Sequence, residues 1–457
     1  MSDIIKIKKG FDIKIFGEAE PKVSTPKINT FALQPTDFIG VTPKLLVKEG
    51  DKVKAGSPIF FSKQNERILF TSSVSGTISS IIRGEKRVIQ EIRITADEEQ
   101  EFEDFGTEPL ASMNREAVVE KLLKSGLWTL IRKRPFSIIP NPNSTPKCII
   151  VKGFDSSPLA PDYNIILKGK GADIQLGIDV LKKLTDGTVH VNVHSQKTTC
   201  DELLKLDGVQ LNKFEGKHPV GNVSVQIAKL DPINKGESIW YLDAQDVSII
   251  GKLFVTGKLV ADKTIALVGG EVLNPQYYNV KLGACISTLV SGNVNKENNL
   301  RYISGNVLTG SIIREDGYLG AYDNLISVIK EGDYYEFLGW VLLGIKKFSF
   351  HRTFVSGFLN LLPEKLRKPT ELDTNLHGGK RAFVLTGEFE KVFPLDIYPM
   401  QLIKACIIED IDLMEQLGIY EIDAEDFALC EVIDVSKTDI QQIIRNGLEL
   451  MRKEIGE

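Results

Sequence analysis

The stretch that decides the fold reads CIIVKGFDSSPLAPD at residues 148–162, GADIQLGIDVLKKLTDG at 171–187 and TVHVNVHSQ at 188–196. The first and third segments contain apolar runs of strand length, and the second spaces its apolar residues at helical intervals. A strand, a loop, an amphipathic helix and a second strand form a βαβ unit, which requires a parallel sheet. The middle of the chain is therefore predicted to be an α/β domain.

Upstream, residues 35–95 consist of short strands between glycine turns. The strongest pattern is GDKVKAGSPIFFS followed by SSVSGTISSI, within residues 50–82, which predicts an all-β unit and resembles a biotinyl/lipoyl carrier domain. In that family a lysine at the tip of the central hairpin carries the cofactor. Here the tip reads KQNER, with Gln64 to Glu66 near the attachment point and Lys63 about three positions early. Since an amide or a carboxylate cannot form the required bond, we expect this fold without a covalent cofactor.

Breaks in composition separate these regions from the rest of the chain. An acidic stretch at residues 96–106, ADEEQEFEDFG, precedes a helix predicted at 114–125. Residues 261–312 return to short strands around one helical piece, GACISTLVSG, which is typical of a small α+β module. The remainder of the chain is predicted to contain helices at 396–417 and 437–453.

The overall composition is that of an ordinary globular protein. The chain has 457 residues, of which 42% are hydrophobic and 26% charged, enough for roughly three or four domains. A formal net charge of -5 gives no basic field for phosphate backbones, so nucleic acid is not an expected partner. The five cysteines are far apart, which predicts reduced thiols and no disulfide framework.

No segment of the sequence predicts a membrane span. The N-terminus, MSDIIKIKKGFDIKI, has lysines among its apolar residues and lacks the apolar core of a secretory signal. The longest apolar run elsewhere is FLGWVLLGI at residues 337–345, whereas a helix that crosses a membrane needs roughly 20 residues. Any membrane association is therefore predicted to be peripheral.

Two patterns that bind phosphate or metal in other proteins fail here on spacing. GKLFVTGK at residues 251–258 has five residues between its glycines where a P-loop has four, and Leu259 occupies the position of the magnesium-binding Ser or Thr. His190 and His194 on one alternating strand would lie roughly 13 Å apart. We expect these histidines to face outward, and we predict no metal site.

The βαβ region resembles the flavin-binding subunit of respiratory complex I and the C subunit of the Rnf complex. In those proteins a glycine-rich loop and an acidic cluster hold flavin and nucleotide, but here SGLWTLIRKRPFS at residues 125–137 stands at the loop position. Bulky side chains from Trp128 to Arg132 would fill the space in which N–H groups approach a phosphate. With Asp155 alone in place of the acidic cluster, we predict that the flavin site is lost. One thiol in the C-terminal region, Cys430, cannot hold an iron–sulfur cluster.

A series of motifs continues past residue 240. They are QDVSIIGKLFVTG (245–257), LGACISTL (282–289), RYISGNVLTG (301–310), YLGAYDN (318–324), KKFSFHRTF (346–354), RAFVLTGEFEKVFPLDIYP (381–399) and EIDAEDFALCEV (421–432). Together they resemble, from end to end, the A-subunit family of the sodium-translocating NADH:quinone reductase. Within this likeness, VGGEVLNPQYYNVKLGACISTLV at residues 268–290 resembles a soluble-ligand-binding β-grasp domain. The chain departs from the family in ALCEVIDVSK, where a second cysteine and a proline are usual.

These resemblances imply a fold class of multidomain α/β and α+β. The expected domains are a biotinyl/lipoyl-like barrel-sandwich domain with N-terminal strands (1–105), a Rossmann-like domain with a degenerate flavin site (106–260), a β-grasp domain (261–330) and a mixed or helical C-terminal domain (331–457).

The family resemblance also implies a function. It places the chain as a peripheral subunit of a complex that transfers electrons from NADH to ubiquinone or another quinone and exports sodium, with no catalysis by this chain alone. The expected partners are the other five subunits, B to F. The expected location is the cytoplasmic face of the bacterial inner membrane, with membrane contact only through those partners. FMN, FAD, riboflavin and a 2Fe–2S centre are assigned to other subunits, so no cofactor is expected here.

Quinone interaction is attributed to this family, and one segment offers a place for it. WTLIRKRPF at residues 128–136 combines two aromatic residues with three cations where the flavin loop would be. A quinone head requires an apolar slot with a hydrogen-bond donor. We therefore predict quinone contacts from Trp128, Arg134 and Phe136, with plain core and surface positions as the alternative.

Two patches suggest docking surfaces. IKKFSFHR at residues 345–352 mixes lysines and an arginine with phenylalanines, which suits a membrane-facing or subunit-facing edge or an ordinary amphipathic strand. Residues 409–431 contain nine acidic residues and no Lys or Arg, which is interpreted as a solvated face or as a surface that meets a basic partner.

Two other functional classes are open to cheap tests. A stand-alone flavin-dependent NADH dehydrogenase would purify yellow. A lipoyl or biotinyl carrier protein would show added mass on a lysine near residue 63.

Overall fold

The computed structural model describes residues 4–339, 341–345, 347–350, 354–359, 362, 366–384 and 386–457. Over these residues the chain forms two small antiparallel sheets, a mainly parallel sheet with helices, a mixed sheet and a group of helices.

The described elements have the following bounds. The strands are β1 (Ile4–Ile7), β2 (Glu20–Ser24), β3 (Thr30–Leu33), β4 (Pro43–Leu45), β5 (Lys52–Val53), β6 (Pro58–Ser62), β7 (Asn65–Thr71), β8 (Gly76–Arg83), β9 (Ile89–Ala96), β10 (Arg132–Arg134), β11 (Ile149–Lys152), β12 (Val189–His194), β13 (Gln210–Gly216), β14 (Ile239–Asp243), β15 (Asp262–Val268), β16 (Gln276–Lys281), β17 (Leu300–Ser304), β18 (Ser311–Ile313) and β19 (Leu325–Lys330). The helices are α1 (Arg115–Lys124), α2 (Tyr163–Ile166), α3 (Gly171–Lys182), α4 (Asp201–Leu204), α5 (Val223–Leu230), α6 (Ala244–Thr256), α7 (Ser287–Val290), α8 (Ser356–Leu359), α9 (Phe389–Val392), α10 (Pro399–Ile407), α11 (Ile411–Gln416), α12 (Ala428–Ile433) and α13 (Ile440–Glu454).

The first unit consists of two antiparallel sheets, β3-β9-β8-β5 and β4-β6-β7, which share one core. Alternating apolar residues point into this core. The ring of Phe60 stacks on that of Phe70 with centroids 4.3 Å apart, and Phe38 meets Phe70 edge-on at 4.6 Å. The all-β prediction for residues 35–95 is confirmed.

The second unit is a six-stranded sheet in the order β1-β13-β12-β11-β14-β10, parallel except for β10. The predicted βαβ unit is confirmed, because β11 and β12 are parallel, with Val151 opposite Val191, and α3 lies between them in sequence. Val151 packs in the same core as α3 and α6, whereas Ile150 packs with α5. Since neighbouring strand residues point to opposite faces, helices cover both faces of the sheet.

Two glycines allow α3 and α6 to approach closely. A Cβ atom on Gly251 would lie 1.8 Å from the carbonyl oxygen of Asp173, and one on Gly177 would lie 2.2 Å from that of Val247. The first glycine of GKLFVTGK therefore serves helix packing. The second, Gly257, ends α6 in the left-handed region with φ at 65°.

The third unit is a mixed sheet in the order β18-β17-β19-β15-β16-β2. Its central strand β15 runs antiparallel to β16 and parallel to β19. The helical piece predicted in GACISTLVSG is the short helix α7.

The first two strands of the chain do not join the sheets of the first unit and pair with strands of later units. β1 pairs with β13 at the edge of the parallel sheet, and β2 pairs with β16 at the edge of the mixed sheet. The N-terminal strands that the sequence groups with residues 1–105 therefore extend two other units. Apart from proline, every residue type offers the same backbone donor and acceptor, so the sequence of an edge strand does not indicate which strand it pairs with.

The C-terminal unit is helical, and it packs on the parallel sheet. The helix predicted at 396–417 is interrupted, because Glu409 takes a left-handed φ of 56° and the Asp410 side chain accepts a hydrogen bond from Leu413 N at 2.9 Å, which caps α11. The helix predicted at 437–453 is confirmed as α13. Residues of α10 and α13 share a core with Phe154 and Phe214 of the α/β unit.

Candidate functional site

Trp128 lies in a 3-10 turn, Leu127–Leu130, between α1 and β10, and its side chain has 0% exposure. Its Nε1 donates a hydrogen bond to the carbonyl oxygen of Pro140 at 2.9 Å, and its ring meets Trp240 edge-on with centroids 5.3 Å apart. The only donor of the indole is therefore already used. Trp128 belongs to the core shared by the first three units.

Arg134, at the end of β10, is 2% exposed. Its Nη1 lies 2.5 Å from Oδ2 of Asp423, and its Nη2 donates to Oε1 of Glu425 at 2.5 Å. Its guanidinium also lies over the ring of Tyr241, 5.2 Å from the centroid. Burial lowers the pKa of Arg134, but the carboxylates outweigh burial and raise the pKa above its ordinary value. Both carboxylates come from the C-terminal unit, so Arg134 joins that unit to the parallel sheet.

Phe136 is 1% exposed and packs in the core of the C-terminal unit, where its ring meets Tyr420 edge-on at 6.1 Å. Phe136 and Ser137 both have left-handed φ values, 79° and 57°, which are uncommon for residues other than glycine. Arg445 Nη1 donates to the carbonyl oxygen of Phe136 at 3.2 Å and helps to hold this backbone. The three predicted quinone residues thus lie in one segment but not in one core, since Trp128 and Phe136 belong to different clusters.

Asp423 is the centre of this site, and the sequence does not single it out. Its carboxylate contacts Arg134, Arg445 and the hydroxyl of Ser137. Burial raises the pKa of Asp423, but the two guanidinium groups outweigh burial and lower the pKa to about 2. Asp423 also forms a capping box with Asp426 at the start of the 3-10 turn Ala424–Phe427.

In the sequence this centre lies within the acidic run at 409–431 and the motif EIDAEDFALCEV at 421–432. The solvated-face interpretation fits exposed residues such as Glu409 and Asp412. It is wrong for Asp423 and Asp426, which are 4% and 2% exposed. Asp423 can be buried because two arginines from other elements, the buried Arg134 and the partly exposed Arg445, balance its charge.

The carboxyl ends of β11 and β14 form the edge at which open α/β sheets hold ligands. In this chain that edge is occupied by its own charged groups. Burial lowers the pKa of Lys152, at the end of β11, but the carboxylates of Asp155, Glu425 and Asp243 outweigh burial and raise the pKa. The phenol of Tyr163 donates to Asp243. The C-terminal unit thus brings the negative charge of Glu425 to the place where a nucleotide would need cations.

Asp155, the single carboxylate that remains of the acidic cluster, accepts a hydrogen bond from Ser157 N at 2.8 Å. Beside it, Ser156 Oγ lies 3.0 Å from Nδ1 of His218. Burial lowers the pKa of His218 to about 4, so the ring is neutral at pH 7. These contacts are internal to the protein.

A small cavity of about 60 Å³ lies beside the segment that precedes Arg132. Its lining is mainly apolar and includes Leu127, Leu130 and Phe38, together with Asp37. Burial raises the pKa of Asp37 to about 7, although Ala321 N donates to its Oδ2 at 2.8 Å. At pH 7 the cavity therefore has a carboxyl group that is protonated in a large fraction of molecules.

We expect Asp37→Asn to stabilise the chain at pH 8 and to change it little near pH 4. Between these values the folded Asp37 keeps a proton that the unfolded chain has released, so the free energy of unfolding falls as pH rises through this window. Asparagine keeps the acceptor for Ala321 N without this dependence. The gain at pH 8, up to roughly 4 kcal/mol for a pKa raised this far, is measured by denaturant unfolding at both pH values.

The matched control is Asp201→Asn, since Asp201 is exposed and should give no gain that grows with pH. An equal difference between Asp37→Asn and the parent at pH 4 and pH 8 would show that the pKa of Asp37 is the same in the folded and the unfolded chain.

Lys63 and Gln64 are the two residues of the turn between β6 and β7, at the hairpin tip of the first unit. Lys63 is exposed. The Gln64 amide closes the hairpin, because its Oε1 accepts from Ser62 Oγ at 2.7 Å and its Nε2 donates to the carbonyl oxygen of Gly40 at 2.8 Å. Lys63 therefore lies in the turn itself, and the expectation that it lies about three positions early on the strand is wrong. The other turn residue, Gln64, has structural contacts.

His190 and His194 are 6% and 8% exposed, so the expectation that they face outward is wrong. β12 is a central strand, and both of its faces are covered by other elements. The Nδ1 of His190 lies 3.2 Å from Asn212 Nδ2, and that of His194 accepts from Lys197 N at 3.1 Å.

Among the residues that the structure describes, no three His, Cys, Asp or Glu side chains are grouped to hold a metal ion. The five cysteines are free and buried.

The predicted docking patch at residues 345–352 is described only in part, because Lys346, His351 and Arg352 lie outside the described residues. Phe350 meets Phe11 edge-on with centroids 5.2 Å apart, so this ring packs against the body of the protein. The neighbouring apolar run is exposed, with Phe337 at 89% exposure. Of the described helices, none is both long and apolar enough to cross a membrane.

These units define a class of multidomain α/β proteins in which acidic groups, among them Glu425 of the C-terminal unit, lie near Lys152 at the end of β11. Comparison with known families gives three matches along the chain: the NqrA N-terminal barrel-sandwich hybrid domain at residues 5–97, the NqrA second alpha/beta domain at 113–259 and the NQRA C-terminal domain at 264–315.

Full-length relatives agree with these matches. The chain is 39% identical over 456 residues to the A subunit of the Na(+)-translocating NADH-quinone reductase of Yersinia pseudotuberculosis, and 38% identical over 455 residues to that of Neisseria meningitidis serogroup B. Each alignment covers 99% of this chain and 100% of the relative. The chain belongs to the A-subunit family of the Na(+)-translocating NADH-quinone reductases, as its sequence motifs predict.

Among solved structures, an NAD+-reducing [NiFe]-hydrogenase in the air-oxidized state aligns with a TM-score of 0.39 and 9% identity, over 74% of this chain and 61% of the hydrogenase chain.

Proposed function

We propose that this chain works as the A subunit of a Na+-translocating NADH-quinone reductase, a complex that couples electron transfer from NADH to quinone with sodium export. The observation that carries this proposal is 39% identity along the whole length of a relative with that name. The chain acts as part of the enzyme and is not catalytic alone.

We infer a supporting role for its domains, with boundaries at residues 105, 260 and 330. The strand order β13-β12-β11-β14 is the third-second-first-fourth order of a Rossmann-like fold, which supports that assignment for residues 106–260. For residues 261–330, a β-grasp assignment is supported by the mixed sheet with the short helix α7. Glu425 at the ligand edge supports the proposal that the flavin site of this fold is lost.

We further propose that the partners are the five other subunits, B to F, on the cytoplasmic face of the bacterial inner membrane. FMN, FAD, riboflavin and the 2Fe–2S centre would then belong to those subunits, and this chain would contact the membrane through them. The exposed apolar residues around Phe337 are a surface that such a partner could cover.

Purification from membranes tests the assembly. A tagged full-length chain, expressed in the organism that supplies it, should recover five further reductase subunits in constant proportion, while an untagged strain recovers none. Recovery of the chain alone under mild detergent would count against the proposal.

Quinone contact from Trp128, Arg134 and Phe136 stays a prediction. Direct contact with Arg134 requires its release from Asp423 or Glu425, because both ends of its guanidinium are engaged. The cavity beside Leu130 offers an apolar slot with the carboxyl of Asp37 as donor, although it would have to widen for a quinone ring.

A photoreactive quinone added to the purified complex tests this prediction. We expect the label on peptides that include residues 126–137, with excess unlabelled quinone removing it. A label found only on other subunits would contradict quinone contact by this chain and would leave its role in the complex intact.

The chain purified without the other subunits separates the other functional classes. A stand-alone flavin enzyme predicts flavin absorbance in the isolated chain. A carrier protein predicts an intact mass above that of the sequence, with the added mass on a lysine near residue 63. A colourless chain of unmodified mass is the result expected for a supporting subunit.

A further inference from the structure

A cavity of about 790 Å³ lies where the first three units meet. One wall is the loop before β3 with the end of β9. A second wall comes from Lys170, directly before α3, and Lys252 in α6, and a third from β15 and β16. Neither the quinone segment nor the covered edge of the parallel sheet lines this cavity. Its volume is typical of sites for small molecules.

The walls of this cavity hold an excess of lysines. Lys281 and Lys252 share one carboxylate, since their Nζ atoms lie 2.8 Å and 3.6 Å from the two oxygens of Asp262. Lys170 has only neutral acceptors, because its Nζ donates to Oε1 of Gln245 at 2.8 Å and to Oγ1 of Thr264 at 3.4 Å. In the described part of the chain no carboxylate forms an ion pair with Lys170. These three lysines therefore carry two positive charges more than their one shared carboxylate balances.

Part of the cavity lining is apolar. Phe31 and Val74, 4% and 0% exposed, belong to the protein core and reach its lining, together with Val280 of β16. A cavity lined by both ammonium groups and apolar side chains suits a molecule that has one strongly anionic group and a compact hydrocarbon or ring part. A neutral ligand would leave the lysine charges uncompensated.

We propose that this cavity binds a small phosphate-bearing molecule, with the phosphate at Lys170, Lys252 and Lys281 and the apolar part against Phe31 and Val74. A phosphate carries up to two negative charges, which suits three lysines that share one carboxylate. The other lysines of the lining have acidic partners, since Lys27 pairs with Glu98 and Lys263 with Asp246, and Asp97 is the one further carboxylate in the lining. Lysine ammonium groups are compact point charges that bind phosphate without the planar geometry that arginine imposes.

The electrostatics of Lys170 support this site. Burial lowers the pKa of Lys170 to about 8; the nearby ammonium groups of Lys263 and Lys252 act in the same direction, while the carboxylates of Asp262 and Asp243 oppose them. A bound dianion favours the charged amine. Binding should therefore weaken as pH rises through 8, because the ligand must then supply the energy that protonates Lys170.

Pyridoxal 5′-phosphate, used on the full-length chain, is a direct probe because it combines a phosphate with a ring and an aldehyde. The Lys170 amine attacks the aldehyde carbon, water leaves, and added borohydride donates hydride to the resulting C=N bond to give a stable secondary amine. We expect peptide mass mapping to find Lys170 modified ahead of the exposed Lys205. Pyrophosphate should protect Lys170 and not Lys205. Modification that follows exposure, or a lack of protection, would overturn the proposal.

Variants locate the phosphate within the cavity. Lys281→Gln should raise the pyrophosphate concentration needed for protection by about tenfold, the loss expected for one charge-assisted hydrogen bond. Lys205→Gln is the control and should leave protection unchanged. If Lys281→Gln fails to fold, Lys281→Arg, which keeps the charge, replaces it and should retain protection. A rise in the unfolding temperature of the parent chain with pyrophosphate is a further required result, and its absence would overturn the proposal.

Discussion

Replacing Arg134 by alanine is expected to lower the free energy of unfolding by about 3–5 kcal/mol, the cost of breaking a buried ion pair from one side. The variant leaves the buried carboxylate of Asp423 with one guanidinium partner where the parent has two. It also frees Glu425 and removes the packing over Tyr241. Denaturant unfolding at pH 7 measures the effect.

Lys205→Ala is the matched control for Arg134→Ala. The ion pair of Lys205 with Asp201 joins side chains that are 73% and 69% exposed, and its loss should cost less than about 1 kcal/mol. If Arg134→Ala were as mild as this control, the joint between the C-terminal unit and the parallel sheet would not depend on the charge of Arg134. Low pH gives an independent check, because stability from Asp423 should be lost as pH falls from about 4 towards 2.

Replacing Trp128 by alanine is the second change with a large expected effect, a loss of about 3–5 kcal/mol. The side chain is fully buried, so its removal leaves a cavity beside Trp240 and an unpaired carbonyl at Pro140. Trp128→Phe keeps a ring against Trp240 and loses the hydrogen bond, so a smaller loss of about 1–3 kcal/mol is expected. Both values come from denaturant unfolding.

Val255→Ala controls for the removal of an apolar side chain from a place open to solvent. Val255 is 56% exposed, and its truncation should stay within about 0.5 kcal/mol. Equal stability of Trp128→Ala and the parent would show that the indole is not required for the core. In that case its place in the sequence would be explained by a ligand.

These variants also separate a structural role from quinone contact. If Trp128→Phe keeps most of the stability and the complex loses the photoreactive quinone label at residues 126–137, then the indole contacts quinone. If label and stability change together across the variants, Trp128 acts through the fold. Arg134→Lys gives the same comparison for charge, because lysine keeps one cation but cannot engage Asp423 and Glu425 together.

Several features of this protein could be predicted from the sequence because they depend on local pattern. The apolar runs around residues 150 and 190 with a helical segment between them fix a parallel βαβ unit. The glycine turns between residues 50 and 76 fix the all-β unit. The long motifs past residue 240 fix the family, since residue identities over a whole chain are specific even where single residues have no evident role.

Other features could not be predicted because they depend on which elements meet. Trp128, Arg134 and Phe136 are neighbours in sequence. Trp128 precedes β10 and Phe136 follows it, yet the two aromatic rings pack in different hydrophobic cores. Asp423, the partner of Arg134, is almost 300 residues away in an acidic run with no pattern that marks it. His190 and His194 are buried because β12 is central, and an alternating sequence does not reveal whether its second face is covered.

By itself the sequence determined the types of element, their order along the chain and the family. Secondary structure depends mainly on residues close together in sequence, and family membership depends on the residues of the whole chain. Only the tertiary structure decided that β1 and β2 pair with strands of other units. It also decided that Asp423 is buried against Arg134 and that lysines of separate units line one cavity. The physical reason is that strand pairing and ion pairs join residues far apart in sequence. Such interactions stabilise the protein only when folding brings the two residues close together in space.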